Sequence, residues 1–249
     1  MLDRAAFIKP IAHRGFHDAA TGRIENTAAA FEAGLVRGYG VECDLQPLAD
    51  GTPVVFHDDT AERLLGTAGR IDRMDLNAIR GLRHTGSGAP VLTYAEFLEL
   101  CAGRGPLLVE IKSGWRAPNA GFLEKVAALS QGYKGPIALM SFDPRVMAAM
   151  AALVPGLPRG VVAGRYEGKG WWIDEIGLDR ALALSDLLES GPARPAFYAY
   201  HVKSLPTPVT RYVREVQGLP LFTWTVRTPA ERRIAADWAD APIFEGFEP

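Results

Sequence analysis

The sequence predicts an α/β fold, a TIM-type (β/α)₈ barrel. Three observations carry this. Eight short apolar runs recur along the 249 residues, each followed by a longer amphipathic stretch, as βα units of a parallel sheet require. Eight such units fill a chain of this length as one barrel. No G-x-G-x-x-G follows the first run, where "HRGFHDAATG" stands instead, so an open dinucleotide-binding sheet is disfavoured.

The strands are expected at 7–13 (FIKPIAH), 40–45 (GVECDL), 107–112 (LLVEIK), 136–142 (PIALMSF), 159–164 (RGVVAG), 196–202 (AFYAYHV), 220–226 (PLFTWTV) and 242–247 (PIFEGF). Helices are expected between them, from "ENTAAAFEAGLVRG" after the first strand to "TPAERRIAADWAD" before the last. Several open on Thr or Asp and close on Gly, the usual asymmetry of helix ends.

One segment breaks the alternation. Only "QPLADG" separates "VECDL" from "TPVVFHD", and it ends in Asp50-Gly51. A parallel crossover needs a dozen or more residues, whereas Asp-Gly is a hairpin turn. Residues 53–57 should therefore fold back antiparallel, outside the barrel's strand count. Residues 46–90 then form a short cap insertion after the second strand, within a single catalytic domain spanning 1–249.

Composition narrows the function. The chain is 48% hydrophobic and 22% charged with a net charge of −2, so no basic field would gather nucleic acid or an anionic membrane. The two cysteines, Cys43 and Cys101, form neither a disulfide framework nor a zinc-like pair. No segment reaches the roughly 18 apolar residues of a membrane span, and the first residues do not read as a signal peptide. The expectation is a soluble cytoplasmic protein with a small-molecule substrate. Its oligomeric state is left open.

The polar residues at strand ends are harder to explain as surface. Glu42 and Asp44 are two apart on one strand, so they share a face. A parallel barrel strand is covered on both sides, which argues against a solvent-exposed face, and burying two like charges without a counter-charge is costly. Glu110 and Lys112 repeat the spacing at the end of the third strand, where a local ion pair is the simpler alternative. Three carboxylates suit Mg²⁺ or Ca²⁺ better than zinc. His13 and Arg14 close the first strand and His57 closes the hairpin, so an acid–base group and an anion fork join the acids.

In order along the chain, "AHRG", "ENT" (25–27), "ECD" (42–44), "DGTPVVFHD" (50–58), "VEIK" (109–112), "SFD" (141–143) and "WTV" (224–226) resemble the glycerophosphodiester phosphodiesterase family. The resemblance implies a TIM barrel with a small cap after the second strand and hydrolysis of glycerophosphodiesters to glycerol 3-phosphate and an alcohol. By it, His13 and His57 are the acid–base pair, Glu42, Asp44 and Glu110 hold one divalent cation, and Arg14 and Lys112 bind the phosphate. Trp224, two residues before the end of its strand, is read as a wall for the glycerol moiety, with core filling as the alternative.

Two departures stand out. Ile24 precedes "ENT" where the family usually has Pro. The chain runs out in "APIFEGFEP", so the last helix is expected to be truncated or missing. Related phospholipase or sphingomyelinase D-like enzymes would need an apolar mouth that the sequence does not supply. A metal-dependent sugar isomerase or aldolase would leave Arg14 beside His13 unexplained and lacks a well-placed Schiff-base lysine. His17, His84 and His201 are read as surface or pocket lining, and 164–177 as a long aromatic loop.

Overall fold

The structure is a computed structural model that describes residues 1–167, 170 and 172–249. Nine strands occur among the described residues. Eight pair in parallel and alternate with helices, which is the TIM (β/α)₈ class. Internal contacts divide the chain into two compact units.

One unit comprises Ile11–Lys112 and Asn119–Ile137. Its strands are β1 (Ile11–Ala12), β2 (Gly40–Pro47), β3 (Pro53–Val55) and β4 (Leu107–Ile111). β2 pairs in parallel with β1 and β4, in a register that sets Ala12 opposite Val41 and Asp44 opposite Glu110. β3 pairs antiparallel with β2, Leu45 opposite Val55. The turn is built as the sequence demands: Gly51 has φ 77°, a left-handed conformation that glycine adopts at little cost. The Asp50 carboxylate accepts from the Thr52 N–H at 2.8 Å. Val41, Cys43 and Leu45, on the opposite face of β2 from the acids, are fully buried. Helices Ala28–Val36, Tyr94–Cys101 and Ala120–Gly132 supply the remaining core, with the Phe31 and Phe97 rings 4.5 Å apart.

Residues after β3 form short helical pieces, Glu62–Leu65, Ile71–Arg73 and Leu76–Gly81, around their own apolar cluster that includes Leu48, Phe56, Leu64, Ile71 and Ile79. His84 belongs here too. It is 1% exposed, so its expected place on a surface or pocket wall is corrected.

The other unit comprises Met1–Pro10, Ser113–Pro118 and Ala138–Pro249. Its strands β5 (Ile137–Ser141), β6 (Arg159–Ala163), β7 (Phe197–His201), β8 (Leu221–Val226) and β9 (Ala241–Phe244) pair in parallel in sequence order. Gly160 is required on β6, because a β-carbon there would meet the Phe197 ring at 2.3 Å.

Three expectations are corrected. The strand foreseen at 7–13 shrinks to Ile11–Ala12, because Asp3 caps a helix at Arg4–Phe7 by accepting from the Ala6 N–H. The helix expected between β7 and β8 changes type within itself, α-helical over Pro208–Arg211 and π-helical over Tyr212–Val216. The aromatic segment 164–177 contains a helical turn, Trp172–Glu175, while its residues 168, 169 and 171 lie outside the described residues. Among the described residues no helix follows β9.

Candidate active site

The site is assembled at the C-terminal ends of β1, β2 and β4 by register alone. Because Ala12 pairs with Val41, the next residue, His13, is level with Glu42, and its Nε2 lies 4.0 Å from Glu42 Oε2. Asp44 stands opposite Glu110. The hairpin then returns the chain, with the Phe56 N–H donating to the Asp44 carbonyl at 3.0 Å. His57 follows directly.

The chain must turn sharply after β1. Arg14 takes φ 55°, a left-handed conformation that costs a non-glycine residue about 1 kcal/mol, and Gly15 continues it at φ 77°. A β-carbon on Gly15 would come within 2.7 Å of the Ala30 backbone. This turn aims the Arg14 N–H at Glu42 Oε2, 2.9 Å away. The Arg14 guanidinium donates to Glu25 Oε1 at 2.7 Å and lies 3.2 Å from Asp44 Oδ2.

Glu42, Asp44 and Glu110 are all buried, and one carboxylate oxygen from each lies within 4.8 Å of the others. Lys112 joins two of them, its Nζ 2.6 Å from Glu110 Oε1 and 2.8 Å from Asp44 Oδ1. Asn26 donates from Nδ2 to Asp44 Oδ2 at 2.8 Å. Glu42 keeps one carboxylate oxygen, Oε1, buried without a hydrogen-bond partner.

The electrostatics separate the two acids on β2. Burial, then Asp44, then Glu110 push the Glu42 carboxyl well above the usual carboxylate range, against Arg14. Burial also opposes charge on Asp44, but Lys112, Arg14 and the histidines outweigh it and hold Asp44 below that range. Burial works against the cations as well, and the acids overcome it, so Arg14 and Lys112 lie above their ordinary values.

His57 is held from the side. Its Nδ1 is 2.7 Å from Asp58 Oδ1, so the carboxylate is placed to accept from Nδ1–H. Gln46 Nε2 donates to the His57 carbonyl at 3.1 Å and to Asp59 Oδ1 at 3.1 Å.

His13, Arg14, Glu42, Asp44, His57, Glu110 and Lys112 thus fall in one compact unit. Trp224, on β8, belongs to the other. There its Nε1–H donates to the Ala199 carbonyl and its ring packs near Phe142 at 5.1 Å and His201 at 5.0 Å. Sequence reasoning missed Glu25, Asn26, Asp58 and Arg63. The first two lie within "ENT" and Asp58 directly follows His57, so three of the four were signalled by motifs already noted.

Fold and site define a class: a (β/α)₈ barrel with a buried hard-oxygen trio and two cations at its strand ends. The chain belongs to the glycerophosphoryl diester phosphodiesterase family, whose sequence pattern matches residues 13–245. It is similar to the glycerophosphodiester phosphodiesterase of Caldanaerobacter subterraneus subsp. tengcongensis, 27% identical over 238 residues, covering 91% of this chain and 89% of that protein. A shorter stretch, 77 residues at 43% identity, matches glycerophosphodiester phosphodiesterase 1 of Bos taurus, covering 30% of this chain and 22% of that protein. The chain therefore spans about a fifth of the mammalian relatives it matches.

Solved structures share the fold. The Thermotoga maritima glycerophosphodiester phosphodiesterase superposes with a TM-score of 0.69 at 21% identity, covering 94% of this chain and 93% of that one. An Oleispira antarctica phosphodiesterase, solved in complex with the product sn-glycerol-3-phosphate, gives 0.70 at 22% identity, covering 95% and 92%. No helix among the described residues is long and apolar enough to cross a membrane.

Proposed function

We propose that this protein hydrolyses glycerophosphodiesters to glycerol 3-phosphate and a free alcohol, using one divalent cation and two histidines. The observation that carries the reading is Glu42 Oε1. It is a buried carboxylate oxygen with no hydrogen-bond partner, set in a trio whose oxygens lie within 4.8 Å of one another. A buried polar oxygen left unsatisfied is costly unless a ligand completes it. Three carboxylates share one ammonium and a guanidinium that Glu25 also claims, so the charge balance also favours a cation.

Glu42, Asp44 and Glu110 would hold Mg²⁺ or Ca²⁺, and the bound ion would offset the negative charge that makes a phosphodiester a poor electrophile. Arg14 and Lys112 would act in the same direction, fixing the phosphate and stabilising charge as it builds on the non-bridging oxygens. One histidine takes the proton from a glycerol hydroxyl, whose oxygen forms a bond to phosphorus. The bond from phosphorus to the alcohol oxygen breaks, and the other histidine gives that oxygen its proton. Water then opens the cyclic phosphate with the two roles reversed. A nucleophile already inside the substrate gains a large effective molarity.

The Asp58 contact suits His57 to this work, because Nδ1 is fixed and Nε2 is left to exchange the proton. The two free, buried cysteines fit a reducing, cytoplasmic setting. Assaying purified protein on glycerophosphocholine, glycerophosphoethanolamine and glycerophosphoglycerol, with and without EDTA, tests the reading. Release of glycerol 3-phosphate that EDTA stops supports it. Full turnover in EDTA removes the cation, and no release from any diester removes the substrate class.

A further inference from the structure

The two ends of the site are joined by a side chain that the reaction itself does not call for. We propose that Arg63 is a positioning residue: its guanidinium clamps Glu25 with one edge and Asp58 with the other, so that the orientation of Arg14 and the tautomer of His57 are set together.

The clamp begins with packing. Arg63 lies in the turn Glu62–Leu65, whose Leu64 and Leu65 are buried in the apolar cluster with Phe56 and Ala61. Two buried leucines beside it fix the helical turn, and Arg63 is left on the turn's polar side. From there NH1 and NH2 donate to Glu25 Oε2 and Oε1, both at 2.9 Å. Nε and NH2 donate to Asp58 Oδ2 and Oδ1 at 2.6 and 2.7 Å. Both contacts are bidentate, the geometry in which a guanidinium holds a carboxylate plane and lysine cannot replace it.

Each carboxylate has a second task. Glu25 Oε1 also accepts from Arg14 at 2.7 Å, and Asp58 Oδ1 lies 2.7 Å from His57 Nδ1. The result is an unbroken chain of charge-assisted hydrogen bonds, Arg14–Glu25–Arg63–Asp58–His57. An exposed isolated ion pair contributes little, whereas a forked network with shared carboxylates contributes orientation. Asp58 alone could rotate away from Nδ1. With Arg63 holding both of its oxygens, it presents Oδ1 to the ring. A neutral imidazole in water prefers its proton on Nε2, so holding it on Nδ1 requires such an acceptor.

The kinetic arm of the test rests on the proposed phosphodiesterase reaction, and the spectroscopic arm does not. Full-length protein labelled with ¹⁵N-histidine is compared by NMR as wild type, Arg63→Gln and Arg63→Lys, with His57→Ala identifying the resonances. The wild-type His57 should carry its proton on Nδ1, and in Arg63→Gln the population should move towards Nε2. An unchanged ring signature in Arg63→Gln overturns the proposal.

In the kinetic arm Arg63→Gln should lower kcat about 10- to 100-fold, as loss of an outer partner of a site residue commonly does, with KM changed less than about twofold. Arg63→Lys should recover little of it, because one ammonium cannot hold two forks; full recovery would show that charge alone matters and would sink the clamp. The double variant Asp58→Asn with Arg63→Gln should lose less than the product of the two single losses, since both share the route to the His57 ring. Independent, multiplying losses refute that route. A wild type inactive on glycerophosphodiesters would overturn the functional reading, while the ring nitrogens would still decide the clamp.

Discussion

Among the described residues, buried carboxylates at strand ends occur in each compact unit, the trio around Glu42 in one and Asp143 with its donors in the other, and they answer burial in opposite ways. Asp143 follows β5 and is fully buried, yet every lone pair has a use. Its Oδ1 accepts from the Arg145 N–H and Nε, both at 3.0 Å, and its Oδ2 from Ser113 Oγ and Arg145 NH2, both at 2.8 Å. Burial would raise its pKa, but these bonds hold it below the ordinary value. Glu42 is equally buried and is pushed up, with Asp44 and Glu110 repelling it and Oε1 unsatisfied. Burial and strand-end position are common to both. What differs is whether the protein has already supplied the donors: Asp143 is complete as a helix cap, and Glu42 keeps a buried oxygen that no protein donor reaches.

The sharpest test of that difference substitutes the same chemistry in both clusters. Asp44→Asn should abolish binding of Mg²⁺ or Ca²⁺ by titration calorimetry and lower kcat/KM by on the order of 10³-fold, the scale of a lost charge-stabilising group. Asp143→Asn should leave cation binding intact. Its effect belongs to stability, a loss of about 2 kcal/mol in urea unfolding from leaving Arg145 without its buried partner. If Asp143→Asn abolished cation binding, the distinction between the clusters would fail.

The next effect comes from the histidines. His13→Ala and His57→Ala should each lower kcat roughly 10²- to 10⁴-fold, the range for a lost general acid or base. A nitrophenyl ester needs little protonation of its leaving oxygen. It should restore His57→Ala and not His13→Ala if His57 serves the leaving group. Equal restoration of both variants would contradict that division of labour, and near-normal rates in either would take that histidine out of the reaction.

How far the sequence reaches can be seen in particular residues. Alternation of apolar runs with capped helices located the strands, and Asp50-Gly51 located the hairpin, because both signals are local. The facing pair Asp44–Glu110 was legible only as two separate strand ends; register, set by pairing across sequence-distant strands, made them neighbours. "SFD" resembled a site motif, but the following Pro144 marks Asp143 as a helix cap with proline at the first helical position. Arg63 carried no signal at all. Its two forks exist because Leu64 and Leu65 are buried beside it, a tertiary fact. His84 was misread for a related reason: one polar residue in "RHTGSGAP" looks like loop surface until Phe56 and the cap's apolar cluster close over it.

His84 gives the clearest contrast with Glu42, in stability and not in activity. Both have buried ring or carboxylate atoms without hydrogen-bond partners, but among the described residues no metal-ligand group includes His84. Its imidazole lies beside the Phe56 ring at 6.0 Å. Burial first, and Arg63 second, depress its pKa from 6.5 to about 4, against the pull of Glu25. The sign follows from proton uptake. Above pH 6.5 the ring is neutral in both native and unfolded chains and contributes no slope. As pH falls from 6.5 towards 4 the unfolded chain takes up a proton that the native chain refuses, so stability declines across that window, by at most about 3 kcal/mol for a shift of this size. Below 4 both states are protonated and the slope ends. His84→Leu removes the titrating group and the unpartnered nitrogens together. Urea unfolding at pH 8 should find it within about 1 kcal/mol of wild type, the relief of unsatisfied polar atoms offsetting imperfect packing. At pH 5 it should be the more stable protein, with cation affinity and kcat at pH 8 unchanged. A wild type and variant that lose stability in parallel between pH 6.5 and 4 would show that His84 does not set the acid limit. A loss of cation binding in His84→Leu would mean that its unpartnered nitrogens, like Glu42 Oε1, belong to the site.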